Sequence, residues 1–312
     1  MNNHLASRAS IRTFGFTLIE LLLVIGIIGI LTTVVLAQFG GATASAKATK
    51  CKANMKNLAV AVQNAAMEHK DGYFPAAGSY KFIWFEEGNA VYPTHRGWIG
   101  WSQVHDNRKS KGGGSSISFA SGDAELLRLA VTNGAIWKAI GGALASYQCP
   151  VHDEACLKAN KRHPGWSYVM NQMFGFDSNY GSGPQLRLAG RTLESVNQMY
   201  FEGKGWRSGS ADRLLLFSEI QGVDIPEQGL RANVDGGGTE GDSVLQYEKN
   251  EVIGFNHQVT GKRWIAHVAF ADGHVGRMFL PRGGLSLTEI TKALCMGHEL
   301  TFDGSKYEDV SK

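Results

Sequence analysis

Residues Phe16 to Phe39 read FTLIELLLVIGIIGILTTVVLAQF, an apolar run of 24 residues with one charged side chain, Glu20. At a rise of about 1.5 Å per residue, a helix over this run is roughly 36 Å long, enough to cross a bilayer core of about 30 Å. The preceding segment, Met1 to Gly15, carries Arg8 and Arg12 and no acid, which places it on the cytoplasmic side. The run therefore predicts a single-pass membrane helix whose following residues lie outside the cytoplasm.

A cleaved secretory signal is the alternative interpretation of this run. The apolar region of such a signal spans about 7–15 residues and ends at small residues. Ala42-Thr43-Ala44 and Ala44-Ser45-Ala46 both supply acceptable cleavage sites. We favour an anchor because the run is longer than a signal requires and contains an acid.

Glu20 is the residue in the run that needs an explanation. A carboxylate in the membrane costs about 2.5–3.5 kcal/mol, so such groups usually have a partner. Cleavage after Gly15 would place the new amine of Phe16 about one helical turn from Glu20. In a helical assembly, that amine on one subunit could neutralise Glu20 of a neighbour within an apolar bundle, where the attraction is strong. The alternative is an unpaired acid that snorkels to the membrane interface.

The segment Arg12 to Ile25, RTFGFTLIELLLVI, resembles the processing motif of type IV prepilins and type II secretion pseudopilins. The resemblance implies that a prepilin peptidase cuts between Gly15 and Phe16 and methylates the new amine of Phe16. It also maps the inter-subunit glutamate of the family onto Glu20. The implied partners are the prepilin peptidase, the inner membrane before assembly, and identical or related pilin subunits. Many type IV pilins carry a proline in this helix, whereas the chain has none from Phe16 to Tyr73.

The helix is expected to continue beyond the membrane. Between Ala42 and Lys70, apolar residues recur at spacings of three and four, which predicts one buried stripe at Met55, Leu58, Val62, Ala65 and Ala66. Asp71-Gly72 should end the helix. We therefore expect a leader over 1–15, a membrane half of a stem helix over 16–39, an exposed half over 40–72, and a globular head over 73–312.

The expected fold class is α+β, with a pilin-like hydrophobic stem helix packed on a head that contains an antiparallel sheet. The segment Arg213 to Ile220 predicts an apolar strand, with Leu214 to Phe217 followed by Ser218-Glu219. Two alternating apolar runs flank Asp272-Gly273, which indicates a hairpin with a two-residue turn. With that turn, Phe270 would face Val275, and His267 and His274 would share a face.

The C-terminal segment also carries a resemblance. His257 followed by the segment Phe270 to Val275, FADGHV, is similar to the "H-X9-DG" signature of a large group of prepilin-type proteins. Further landmarks of that group are matched by Tyr73-Phe74-Pro75, Cys149-Pro150 with Asp153, and Ser167-Tyr168 with Asn171. The spacing departs from the signature, because fourteen residues instead of nine separate His257 from Asp272.

Four cysteines allow three disulfide pairings, and the sequence does not choose among them. They are Cys51, Cys149, Cys156 and Cys295. We expect Cys149–Cys156, which would close a small loop. A zinc site at Cys149, His152, Cys156 and His163 is disfavoured, because intervals of two, three and six residues are not a standard zinc frame.

The segment Asp235 to Asp242, DGGGTEGD, is acidic and glycine-rich. Asp235, Glu240 and Asp242 would supply hard oxygen ligands for calcium on a flexible backbone, and the segment somewhat resembles the calcium loop of major pseudopilins. It has no clear ligand frame. We therefore interpret it as a solvated loop, with calcium as the alternative, and expect no other cofactor.

The composition indicates a folded protein, with 43% hydrophobic and 19% charged residues, and the net charge of +3 is nearly balanced. No basic stripe is interleaved with aromatic residues, so nucleic acid is not an expected partner. No glycine-flanked serine elbow is present. His257, His267 and His274 could be arranged with Glu219, but we interpret these histidines as structural and do not expect an enzyme.

The function predicted from these features is that of a structural subunit of a type IV pilus-like or type II secretion pseudopilus filament. It would reside in the bacterial inner membrane with its head in the periplasm, and then in a periplasmic pseudopilus or cell-surface filament. The alternatives are an anchored surface-binding module, such as an adhesin-like minor tip subunit, and a secreted hydrolase. The sequence does not separate pilus from pseudopilus, or major from minor subunit.

Overall fold

The computed structural model describes residues 16–70, 72–77, 97–99, 128, 130–161, 165–174, 192–201, 204–233, 244–247, 250–259 and 263–311. The chain divides into two compact units, Met1–Ala44 and Ser45–Lys312. The first contains an apolar helix, and the second is rich in β-sheet. Mixed helix and sheet agree with the expected α+β class.

Helix α1 spans Leu18–Glu68 and belongs to both units. It ends at Glu68, shortly before the predicted stop at Asp71-Gly72, of which Asp71 lies outside the described residues; Gly72 turns the chain with a φ of 66° and an amide that donates to the carbonyl of His69. Glycine adopts this left-handed conformation without the steric cost of a Cβ atom. The predicted stop is therefore confirmed, and the helix runs through Gly40-Gly41 without a break.

The first unit contains the one helix, among the described residues, that is long and apolar enough to cross a membrane. The segment Leu18–Val35 has a mean hydropathy of 2.7, and none of it is buried. A membrane anchor and a signal sequence both have these properties. The structure is thus consistent with the predicted anchor but equally with its alternative.

The second unit buries one stripe of α1 in its core. The fully buried residues of that stripe are Cys51, Met55, Leu58, Ala59, Val62 and Ala66. They recur at the three- and four-residue spacing of a helix face, as predicted from the sequence. The part of α1 after Ala44 is therefore a component of the sheet-rich unit.

A six-stranded sheet forms the centre of the second unit, in the order β5-β1-β4-β7-β6, with β8 also paired to β7. All neighbours are antiparallel except β1 and β5. The predicted strand after Leu214 and the predicted antiparallel sheet are confirmed. The strands are β1 (Tyr168–Asn171), β4 (Leu215–Glu219), β5 (Val244–Leu245), β6 (His257–Val259), β7 (Arg263–Phe270) and β8 (Val275–Phe279).

The described part of the second unit also contains two smaller sheets, two shorter α-helices and four 3-10 helices, Leu144–Tyr147, Gln172–Phe174, Ser195–Asn197 and Pro226–Gln228. One sheet pairs β2 with β3, and the other has the order β10-β11-β9. Their bounds are β2 (Gln198–Phe201), β3 (Gly205–Ser208), β9 (Gly283–Gly284), β10 (Leu300–Phe302) and β11 (Lys306–Asp309). Helices α2 (Pro150–Lys158) and α3 (Leu287–Met296) contribute residues to the same core or pack against it.

The hairpin between β7 and β8 has a three-residue turn, so the predicted two-residue turn is wrong. Ala269 pairs with Val275, and the amide of Phe270 donates to the carbonyl of His274 at 3.0 Å. Only Gly273 in the turn has a positive φ, of 85°, whereas a two-residue type I′ turn needs two such residues. The register consequently shifts by one residue from the expected facing of Phe270 and Val275.

The disulfide joins Cys51 of α1 to Cys149, with their Cα atoms 5.3 Å apart, so the predicted Cys149–Cys156 pair is wrong. Cys149 is the N-cap of α2, and Cys156 lies in the second turn of that helix. Seven helical steps separate their Cα atoms by about 10 Å, which is beyond the reach of a disulfide. Cys156 and Cys295 are buried thiols.

Candidate functional site

The first candidate site is the beginning of α1. The backbone amide and the hydroxyl of Thr17 both donate to Glu20 Oε2 at 2.8 Å, and the amide of Glu20 donates to Thr17 Oγ1 at 3.2 Å. This reciprocal arrangement is a capping box, which satisfies orphan amides at a helix N-terminus. It holds the carboxylate at the first turn of the helix, and Phe16, which precedes Thr17, is exposed. The predicted cleavage partner Gly15 lies outside the described residues.

The second candidate site is a buried cluster of Glu219, His257 and His267. Strands β4 and β6 lie along the same edge of β7, because Ser218 pairs with Val268 and His257 pairs with Ile265. The end of β4 and the start of β6 therefore meet opposite the middle of β7. Continuing the β4–β7 register by one residue places Glu219 opposite His267.

Both imidazoles approach one oxygen of the carboxylate. Glu219 Oε1 is 3.2 Å from His257 Nε2 and 3.0 Å from His267 Nδ1. The rings of the two histidines are 4.9 Å apart between centroids. The side chain of Glu219 is completely buried, and those of His257 and His267 are 1% and 5% exposed. The three ionisable groups thus converge in the interior.

Asn256 fixes the orientation of the Glu219 carboxylate. Asn256 Nδ2 donates to Glu219 Oε2 at 2.9 Å and to the carbonyl of Ile220 at 2.7 Å, while its Oδ1 accepts from the amide of Gly222. The two carboxylate oxygens consequently have different roles, because Oε2 contacts the amide and Oε1 faces the imidazoles.

Electrostatics keep Glu219 ionised despite its burial. Burial raises the pKa of this carboxyl. The charges of His257 and His267 and the hydrogen bonds from both rings lower it by more, so that the resulting pKa is about 2. A buried carboxylate without such partners would take up a proton. Burial, assisted by the nearby Glu219 charge, raises the pKa of the Tyr168 phenol well above its usual value.

The ligand-type atoms of the cluster lie close enough to hold a metal ion. The ligand atoms of Glu219, His257 and His267 are all within 4.8 Å of one another, and so are those of Cys51, Cys149 and His257. In the second set, both sulfurs belong to the disulfide, with Cys149 Sγ 3.9 Å from His257 Nε2. A disulfide sulfur is not the thiolate that metals require, so the first set is the better donor set.

His152 is buried elsewhere in the core, and among the described residues it is not grouped with Cys149 and Cys156 as metal ligands; His163, the fourth member of the disfavoured zinc set, lies outside the described residues. His152 Nδ1 is 3.0 Å from Ser167 Oγ, and its Nε2 is 2.8 Å from the carbonyl of Asn233. Because a carbonyl only accepts, Nε2 carries the proton and the hydroxyl of Ser167 donates to Nδ1. Both ring nitrogens are therefore engaged, and Cys149 is held by its disulfide.

His274 lies apart from the buried cluster, so the expected shared face with His267 is wrong. His274 Nδ1 is 2.7 Å from Asp272 Oδ1 at the exposed turn, and its ring stacks on Phe270 at 4.4 Å. The shift in hairpin register accounts for the difference. The candidate calcium ligands Asp235, Glu240 and Asp242 lie outside the described residues.

The sequence identified three of the clustered residues but neither their partners nor their arrangement. Glu219 stands out as an acid after an apolar strand, and two of the grouped histidines do meet it. Asn256 carried no signal, whereas Thr17 and Glu20 form a recognisable Thr-x-x-Glu capping pattern that could have been found. Comparison of the chain with protein-family models, with curated proteins and with solved structures finds no match in any of the three.

Proposed function

We propose that the chain is a membrane-anchored subunit of a type IV pilus-like or type II secretion pseudopilus filament. The observation that carries the proposal is Glu20, the single acid in an apolar segment whose described side chains from 16 to 35 are all exposed. Exposed apolar side chains on this scale need lipid or a neighbouring protein to cover them. A filament of parallel stems covers them and supplies the acid with a partner.

The first turn of α1 is suited to an inter-subunit ion pair. The N-terminus is the positive end of the helix dipole, which favours a carboxylate in the first turn. Thr17 holds Glu20 Oε2 within that turn. Cleavage before Phe16 would create an amine at the same end of the helix, and stacking of subunits along a filament would bring the amine of one stem to Glu20 of another.

The disulfide supports placement of the second unit outside the cytoplasm. Disulfides persist in the periplasm and at the cell surface and are rare in the reducing cytosol. The Cys51–Cys149 bond lies in the unit that follows the apolar segment. This agrees with the orientation inferred from Arg8 and Arg12, in which the leader is cytoplasmic and the rest of the chain is exported.

Replacement of Glu20 by alanine tests the proposal. We expect Glu20→Ala to insert into the membrane and fold, because Glu20 belongs to the first unit and the core residues lie in the second, yet to lose filaments in electron micrographs and in sheared surface fractions. Glu68→Ala is the matched control, since Glu68 is an exposed acid at the other end of the same helix, and it should assemble as the wild type does.

The outcome also separates the proposal from an anchored binding module. A solitary module needs only an anchor, so Glu20→Ala would leave its abundance and surface localisation unchanged, and neither the wild type nor the variant would form filaments. Normal filaments in the Glu20→Ala variant would contradict the proposed ion pair.

A further inference from the structure

We propose that Glu219, His257 and His267 form a binding site for a divalent transition-metal ion, with zinc as the preferred occupant. The ion would join strands β4, β6 and β7 at the point where two of them share one edge of the third. The inference concerns the second unit alone and does not depend on filament assembly.

The spacing of the three ligand atoms fits a coordination shell. Zinc lies about 2.0–2.2 Å from imidazole nitrogen and carboxylate oxygen, so ligands at tetrahedral or octahedral angles are about 3.0–3.5 Å apart. Glu219 Oε1 is 3.2 Å from His257 Nε2 and 3.0 Å from His267 Nδ1. An ion can therefore enter between these atoms with small adjustments of the side chains.

The donor set selects the class of metal. Two imidazoles suit zinc, iron, copper and nickel, whereas magnesium and calcium prefer shells of oxygen atoms. Three protein ligands leave a further position on the ion for water. Because the disulfide holds Cys149 Sγ at 3.9 Å from His257 Nε2, the sulfur borders the site but is not one of its ligands.

The surroundings hold the ligands in place before an ion binds. Asn256 Nδ2 donates a hydrogen bond to Glu219 Oε2 at 2.9 Å, which leaves Oε1 directed toward the imidazoles. Such contacts to the outer atoms of ligands orient them and strengthen metal binding. Strand pairing sets Ser218 opposite Val268, next to Glu219 and His267, and sets His257 opposite Ile265 at the start of β6. The near-complete burial of all three side chains favours an ion that stabilises the fold.

The metal content of the full chain tests the site. The protein would be purified in detergent without chelators, dialysed against zinc and then against metal-free buffer, and analysed by mass spectrometry of the elements. We expect about one zinc ion per chain, a loss of most of this zinc in His257→Ala and in His267→Ala, and a lower thermal midpoint after chelation of the wild type.

His298→Ala is the matched control for loss of a buried histidine. His298 Nδ1 is 2.9 Å from Asp309 Oδ2, and both side chains are buried, but the pair lies outside the proposed site. The control should lose stability and keep its zinc. Zinc contents equal to wild type in both His257→Ala and His267→Ala would overturn the proposal.

Cobalt keeps the proposal testable even if the alanine variants do not fold. Addition of Co²⁺ to the metal-free wild-type chain should produce the visible absorption of a site with nitrogen and oxygen ligands, and zinc should abolish it. A folded wild-type chain that binds neither zinc nor cobalt would overturn the proposal. A strong thiolate-to-cobalt absorption would overturn the assignment of the ligands, because it would require a cysteine on the ion.

Discussion

At the scale of single residues, burial determines the protonation state of His152. Both of its ring nitrogens are bonded, to Ser167 Oγ and to the carbonyl of Asn233. Burial lowers the pKa of this imidazole, and the bond to Asn233 and the charges of Asp153 and Glu219 offset only part of that effect. Folding therefore disfavours the charged form of His152.

The depressed pKa predicts a loss of stability in acid. The unfolded chain takes up a proton at His152 near the ordinary pKa of 6.5, whereas the folded chain resists it. The contribution of His152 to the free energy of unfolding is thus fully present above pH 6.5 and declines as the pH falls from there toward the lowered folded value. Each tenfold difference in proton affinity between the two states is worth about 1.4 kcal/mol.

Urea unfolding across this pH range, compared between the wild type and His152→Gln, measures the effect. The variant should be less stable at neutral pH but less sensitive to acid, because it has no proton to take up at this position. His274→Gln is the control for the loss of a histidine outside the core, since His274 is half-exposed at the hairpin turn. An acid sensitivity in His152→Gln as steep as that of the wild type would contradict the account.

At the scale of secondary-structure elements, local patterns predicted the elements better than their contacts. The three- and four-residue spacing on α1 and the alternating runs of the β7–β8 hairpin were enough to predict a helix and two strands. The predicted turn length was wrong because Asp272 does not adopt the positive φ that a two-residue turn needs. The predicted disulfide pairing was wrong because Cys51 and Cys149 are 98 residues apart, and no local sequence pattern connects them.

The disulfide between α1 and Cys149 predicts both a linked pair of peptides and a contribution to stability in the oxidised protein. Peptide mapping without reductant should recover a linked pair that contains Cys51 and Cys149. Because this bond closes a loop over a separation of 98 residues, Cys51→Ser should lower the free energy of unfolding by about 2–5 kcal/mol.

Two controls accompany this prediction. Cys156→Ala removes a buried thiol without opening a cross-link, so its loss of stability should not depend on reductant. The difference between the wild type and Cys51→Ser should shrink when both are reduced. Recovery of a linked Cys149–Cys156 peptide would contradict the structure.

At the scale of the whole molecule, α1 meets two different physical requirements along its length. In the first unit its described side chains are exposed and, apart from Glu20 and a few threonine and glycine positions, apolar, and in the second unit one of its faces is buried in the core. Composition and spacing were sufficient to predict this change. The cluster of Glu219, His257 and His267 was only partly predictable, because its geometry follows from two strands sharing one edge of β7.

The intact mass and the first residue of the mature protein test the central claim most directly, because processing before Phe16 creates the amine that would meet Glu20 of a neighbour. Purification from the membranes of the native host, followed by intact-mass measurement and N-terminal sequencing, should identify N-methylated Phe16 as the first residue. A mature protein that still begins at Met1, or one that begins beyond the apolar segment near Ala44, would contradict the account.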